Sequence, residues 1–228
     1  MILHSSLSPN NMTQNIINLI KKDILLEWRQ RYAINGILLH VVSSVFVVFL
    51  SIKILNPPTW NALFWLILLF TSVSAVAKSF IAESKGRQLY YYGIASAQAI
   101  ILSKTIFNIF LMVVISLMCL AVYVTLLGNP IQNLSLYIIA MLLGCIGFAA
   151  TFTILSSIAS KAGNSNLLMP VLSFPIIIPM LLVLIKASKK AMDGLDVSVI
   201  WPDLFVLLAI DIIVIALAYI LFPFLWKD

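Results

Sequence analysis

The chain has 228 residues, 62% of them apolar and 10% charged, with a mean hydropathy of +1.10 and a formal net charge of +6. A soluble domain is about a quarter charged and just under half apolar, so this composition excludes a soluble globular enzyme, a disordered tail and a disulfide-stapled secreted domain. It also counts against nucleic-acid binding, because in so apolar a chain a basic excess reflects orientation in a membrane.

The N-terminal segment lacks the short apolar core and small-residue cleavage site of a signal peptide, so the first apolar run is expected to stay in the membrane. Residues 15–31 (NIINLIKKDILLEWRQR) come before that run. Ile17, Ile20, Ile24 and Trp28 recur every three or four residues, which places them on one helical face. Lys21, Lys22, Asp23, Glu27, Arg29 and Gln30 occupy the rest. This pattern predicts an amphipathic helix in the membrane interface, with Trp28 at headgroup depth and its basic residues toward anionic lipid. Such a helix is either a plain anchor for the first span or a connector that transmits movement from a partner.

Six apolar runs then follow, each about the 20 residues needed to cross the hydrocarbon core. They cover residues 34–54, 61–81, 105–127, 134–156, 167–185 and 204–224. They are too continuous for barrel strands, which need about 10 residues of alternating polarity. The predicted fold class is therefore an all-α membrane protein with six transmembrane helices (34–228) behind a cytoplasmic tail and interfacial helix (1–33). With the N-terminus inside, ten lysines and arginines fall on the cytoplasmic side and four (Lys53, Lys186, Lys189, Lys190) on the other, which favours both termini in the cytoplasm. Asp193, Asp196 and Asp203 offset the outer lysine cluster.

Several residues within and between these runs stand out. The loop 78–104 carries Glu83, Lys85 and Arg87, then Tyr90, Tyr91 and Tyr92, and Gly86 and Gly93 can bound a short helix between them. This is either a helix shaped to dock into a groove of a soluble partner or a solvated loop with interfacial tyrosines. In the fourth run, Gly144, Cys145, Gly147, Ala149 and Ala150 permit close helix approach, inside the subunit or at a dimer face. Pro170, Pro175 and Pro179 predict a bent or re-entrant fifth span that either lines a pathway or is a structural kink. Asp211 is the acidic residue well inside a span, seven residues from the expected start of the sixth, and is a functional-site candidate. His40 is either hydrogen-bonded to a neighbouring helix or a haem ligand. Cys119 and Cys145 read as small core residues.

No phosphate-binding G-x-x-x-x-G-K-[ST] loop, H-E-x-x-H zinc motif or G-x-S-x-G elbow occurs. A catalytic role is not expected, nor a directly bound cofactor or metal.

The N-terminal helix ending in E-W-R-Q-R, the loop containing Glu83 and the proline-rich LLMPVLSFPIIIPM segment (167–180) together resemble the membrane subunits of ABC-2-type exporters. More narrowly, the sequence is similar to the CcmB family, haem exporter protein B of cytochrome c maturation, over nearly its whole length. Many relatives carry proline directly after the serine that follows the loop helix, where this chain has Ala97 after Ser96. The resemblance implies a multi-pass permease of the bacterial inner membrane, with two permease subunits per complex. It further implies a separate ATP-binding subunit of the CcmA kind. CcmC-like and CcmD-like membrane proteins and a CcmE-like haem chaperone are the other implied partners. ATP then acts through the partner, and haem is cargo of the complex. The tryptophan-rich W-W-D segment of CcmC is absent, and Trp201-Pro202-Asp203 is not that motif, which argues against haem ligation by this chain.

A permease without its own ATPase must receive work through a cytoplasmic contact. On this reading Glu83, Arg87, Tyr90, Tyr91 and Tyr92 form the coupling element, Glu27 and Arg31 brace it, and Asp211, Pro170, Pro175 and Pro179 are pathway candidates. The alternatives are an ABC-2-type exporter of a lipid or other small molecule and a non-transporting membrane scaffold.

Overall fold

The computed structural model describes residues 12–29, 31–52, 55–76, 80, 96–161 and 165–227. Among them are seven helices and no strand: α1 (Met12–Arg29), α2 (Arg31–Ser51), α3 (Pro57–Val76), α4 (Ala97–Leu127), α5 (Leu134–Lys161), α6 (Ser165–Met192) and α7 (Val197–Lys227). Five of them, α3 to α7, are long and apolar enough to cross a membrane. The apolar part of α2, Asn35–Ser51, is shorter, and at 1.5 Å per residue it rises only about 25 Å against a hydrocarbon core of about 30 Å.

Several helices begin earlier or end later than the apolar runs, for local reasons. At α3, Asn56 Oδ1 accepts the Thr59 amide at 2.9 Å, and Pro57 and Pro58 occupy the first helical positions, where a missing N–H costs nothing. At α4, Ser96 has extended backbone angles and its hydroxyl accepts the Ala99 amide at 3.2 Å. The segment 97–104, expected as loop, is therefore the first two turns of α4. Asn133 caps α5 in the same way, accepting from Leu136. The end of α6 is a left-handed glycine turn. Gly194 has φ 68°, Leu195 N–H donates to Lys190 O and Gly194 N–H to Ala191 O. This is the paired closure that satisfies a helix's last carbonyls.

The fifth span is not re-entrant. α6 runs unbroken for 28 residues through all three prolines, because the tertiary contacts of its other face hold it against α5, α7 and α3. Ser173, Ile177, Met180 and Leu184 form that buried face, while Pro175 and Pro179 are exposed opposite it.

α5 is the axis of the bundle, packed by α3, α4, α6 and α7. Its small residues lie inside the subunit. A Cβ on Gly144 would meet the Trp65 ring at 2.8 Å and Leu184 at 3.0 Å. Trp65 cannot swing away, since its indole N–H donates to Ser188 Oγ at 2.8 Å. Around it, Trp60, Phe64, Tyr123, Tyr137, Phe148 and Phe152 form a continuous aromatic cluster. Three of its polar contacts reach backbone or amide groups: Tyr123 donates to Trp60 O, Tyr137 to Asn61 Oδ1, and Asn61 Nδ2 to Ile185 O, while the buried Trp60 indole N–H has no partner among the described residues. Both cysteines are buried and unpaired by disulfide, and Cys145 Sγ donates to Ser116 Oγ at 3.1 Å.

Candidate functional site

Three polar constellations are embedded in this apolar frame. The first joins α1 to the bundle. The face of α1 that packs on α4 is polar at two of its three buried positions, Asn15, Leu19 and Asp23. Asp23 Oδ1 lies 2.9 Å from Lys22 Nζ, and Asp23 Oδ2 lies 3.9 Å from Lys104 Nζ of α4. Lys104 is only 5% exposed. A buried ammonium is costly unless opposite charge and polarisable neighbours surround it. Here the Asp23 carboxylate supplies the first, and the Phe80 ring, 4.9 Å below the nitrogen, the second. Phe80 is itself pinned: its backbone N–H donates to Ser156 Oγ of α5 at 3.3 Å and its ring lies 5.4 Å from that of Phe222 on α7. One turn further along α4, Asn108 donates to Thr153 of α5 at 2.8 Å. Five chain segments thus meet within one small polar knot.

Glu27 lies one turn beyond Asp23 on α1, half-buried and engaged in polar contact. Glu83, Arg87, Tyr90, Tyr91, Tyr92 and the short helix expected among them lie outside the described residues, as do the side chains of Arg31 and Pro170. Phe80, one residue before that segment, and Ser96, one residue after it, are both fixed by hydrogen bonds. The sequence reading missed Asp23 and Lys104 as a pair. Asp23 was expected on the polar side of the interfacial helix, and Lys104 at the end of the 78–104 loop among the cytoplasmic charges. The available signal was a single lysine in the run I-L-S-K-T-I-F-N-I-F, where a charge requires a partner.

The second constellation is at the other end of the bundle. Asp203 of α7 lies 3.1 Å from Lys186 and 2.7 Å from Lys190 of α6, and Lys189 pairs with Asp193 at 2.5 Å. Three lysines that weighed against an outward placement are thus held by two carboxylates. Lys190 also donates to Val199 O at 2.9 Å, which ties the α6–α7 turn together.

The third is Asp211. α7 begins at Val197, not near Leu204, so Asp211 is fourteen residues in, about 21 Å along the axis and close to the middle of a 31-residue helix. It is 2% exposed, and neither carboxyl oxygen has a partner among the described residues. It faces α5 at Gly147, where a Cβ would come within 3 Å of both Asp211 Oδ1 and Met180 of α6. A side chain there would have to displace the carboxyl group of Asp211 and the thioether of Met180, which fill the space that glycine leaves. Asp211 therefore points into the bundle between α5 and α6, whereas Pro175 and Pro179 point out of it. Among the described side chains, Asp211 and these two prolines face different ways within the single chain. His40 is exposed on α2. Among the described residues no group of His, Cys, Asp and Glu is arranged to hold a metal ion.

In comparisons with known proteins, no curated protein and no solved structure matched this chain. The model of the CcmB protein family matches residues 14–224, from the first turn of α1 nearly to the end of α7. With five long apolar helices, four of them packed around the central α5, this protein is a multi-pass membrane member of the CcmB family.

Proposed function

We propose that this protein is the permease subunit of an ABC transporter complex in cytochrome c maturation. It couples ATP hydrolysis in a separate CcmA-like subunit to haem delivery or to release of the haem-loaded chaperone. Family membership supports a place among the membrane components of haem export. The geometry adds the observation that carries the coupling role. Lys104 joins the amphipathic helix α1, through Asp23, to Phe80 at the edge of the Glu83 loop. Phe80 in turn is anchored on α5 and α7. A push on either cytoplasmic piece is delivered through this knot to the central helix and to the helix that carries Asp211. Glu83, Arg87 and the three tyrosines make the contact with the ATPase, and Glu27 and Arg31 brace it.

In this reading α2 is a sixth span, α1 lies along the inner surface of the bacterial inner membrane, and both termini are cytoplasmic. Two such subunits pair in the complex. Their CcmC-like, CcmD-like and CcmE-like partners handle the haem.

The test is a mild-detergent pull-down of the tagged protein, with partners identified by mass spectrometry and haem by absorbance. Recovery of an ATP-binding subunit together with a haem-handling membrane protein is the expected result. Paired charge reversal at Glu83 and Arg87 should abolish ATPase recovery and cytochrome yield. Unchanged recovery and yield would sink the coupling assignment. An ATPase recovered alone would point instead to an exporter of another substrate.

A further inference from the structure

Of the acidic side chains described, Asp23, Asp193 and Asp203 each lie against a lysine ammonium. Asp211 does not. It is 2% exposed, near the middle of α7, and neither carboxyl oxygen has a hydrogen-bond partner among the described residues. The helices packed on α7 are α4, α5 and α6.

The groups those helices present decide which form of the carboxyl fits. From α6, the Met180 thioether shares with Asp211 Oδ1 the space left open by Gly147 of α5. A thioether sulfur is a weak acceptor with no hydrogen to donate. Cys145 of α5 is the titratable side chain within electrostatic reach, and its S–H is turned to Ser116 Oγ of α4. The lysines of α6 are held by Asp203 and Asp193, and Lys104 of α4 lies beside Asp23. On α7 itself, Asp203 and the exposed Tyr219 are each about 12 Å away along the axis. A carboxylate is acceptor-only, so it would face no donor and no opposite charge in the interior of the bundle. The neutral acid carries one O–H, and the Met180 sulfur is an acceptor for it. A hard metal cation would need several oxygen ligands, and among the described residues Asp211 belongs to no group arranged to hold a metal ion.

We propose that Asp211 is a proton-binding site inside the membrane, which holds its proton while α7 is closed on α5 and α6 and exchanges it with water only when α7 parts from them. On opening, the acid O–H breaks, the proton passes to an entering water molecule and the carboxylate is left hydrated. Closing reverses the transfer. The proton thus sets which position of α7 is stable: bound, it favours the packed helix, and released, the open one. α7 is also the helix that carries Phe222, against the Phe80 ring of the Lys104 knot.

The experiment is infrared spectroscopy of the purified full-length protein in dodecyl maltoside, a detergent without carbonyl groups. At neutral pH the wild type should show the carbonyl stretch of a neutral carboxylic acid, above the amide I band. Aspartate carrying carbon-13 in its side-chain carboxyl should shift that band, and Asp211→Asn should lack it while keeping the thermal transition. Gly147→Ala displaces only the ends of two flexible side chains and should fold. It should shift the band and speed its conversion to the O–D form in heavy water about tenfold. A wild type without the band, or with a band that ignores the label, would overturn the proposal even if Asp211→Asn fails to fold. So would a band that persists in Asp211→Asn, or equal exchange in the wild type and Gly147→Ala. The spectra read this chain without its partners, so failure of the proton site and failure of the transporter reading are told apart.

Discussion

Lys104 and Asp23 show how a membrane protein holds charge where hydration is lost. The ammonium sits between a carboxylate and an aromatic face, in a site only 5% exposed. Neutralising either partner leaves the other charge buried. Asp23→Asn and Lys104→Gln should each lower the thermal stability of the purified protein, and the double variant should lose less than the sum, with a coupling of about 0.5–3 kcal/mol. Strict additivity in a double-mutant cycle would remove the pair from the knot. Gly144 gives a second expectation at the same scale. With Trp65 held by Ser188, Gly144→Ala should destabilise by about 1–3 kcal/mol through overpacking. Gly36→Ala, with nothing within 4 Å, should be neutral or mildly stabilising. Equal melting of the two variants would contradict the close α3–α5 contact. Asp211 was legible as an unusual residue from its carboxylate in an apolar run. Its depth was not legible, because that depends on where α7 begins.

At the scale of the element, caps decide where helices start, and apolar runs do not report them. Ser96 closes the first turn of α4 with its hydroxyl. Ala97 therefore stands at the first helical position, where proline is preorganised and its missing N–H is harmless. Alanine, the strongest helix former, serves the same position here. Ser96→Ala should cost about 1 kcal/mol of stability, while Ala97→Pro should be tolerated with cytochrome yield unchanged. A loss of folding on Ala97→Pro would show that the α4 start is misplaced. The sequence pattern of α1 predicts an interfacial helix with one apolar face, and in the structure Ile17 and Ile24 are exposed. What it did not reveal is that the polar side, Asn15 and Asp23, is the side that docks. In a membrane a polar face seeks protein partners, while lipid accepts the apolar one. For α6 the three prolines suggested a break. Helix packing overrode that local preference, and the chain remains helical throughout.

At the scale of the whole molecule, charge is sorted to opposite ends. The Asp203–Lys186–Lys190 cluster and the Gly194 turn are at one end, and the Lys104 knot is at the other. A membrane-impermeant maleimide should label Asp196→Cys in intact cells, and Lys21→Cys only after the membrane is opened. Both positions are exposed, and the native Cys119 and Cys145 are buried and give little background. The reverse pattern would invert the orientation and put the coupling contact on the wrong side for an ATPase.

The sequence by itself determined the solvent. A chain that is 62% apolar with runs of membrane length can satisfy its backbone there only as helices. Its residue order also carried the resemblance that the CcmB family match bears out. Only the tertiary structure decided which polar residues meet: Asp23 with Lys104, Asp203 with two lysines, and Asp211 with Gly147 and Met180. The reason is distance along the chain. Hydrophobicity and helical period are local properties summed over about twenty residues, whereas Asp23 and Lys104 are eighty-one residues apart and meet only because α1 folds back onto α4.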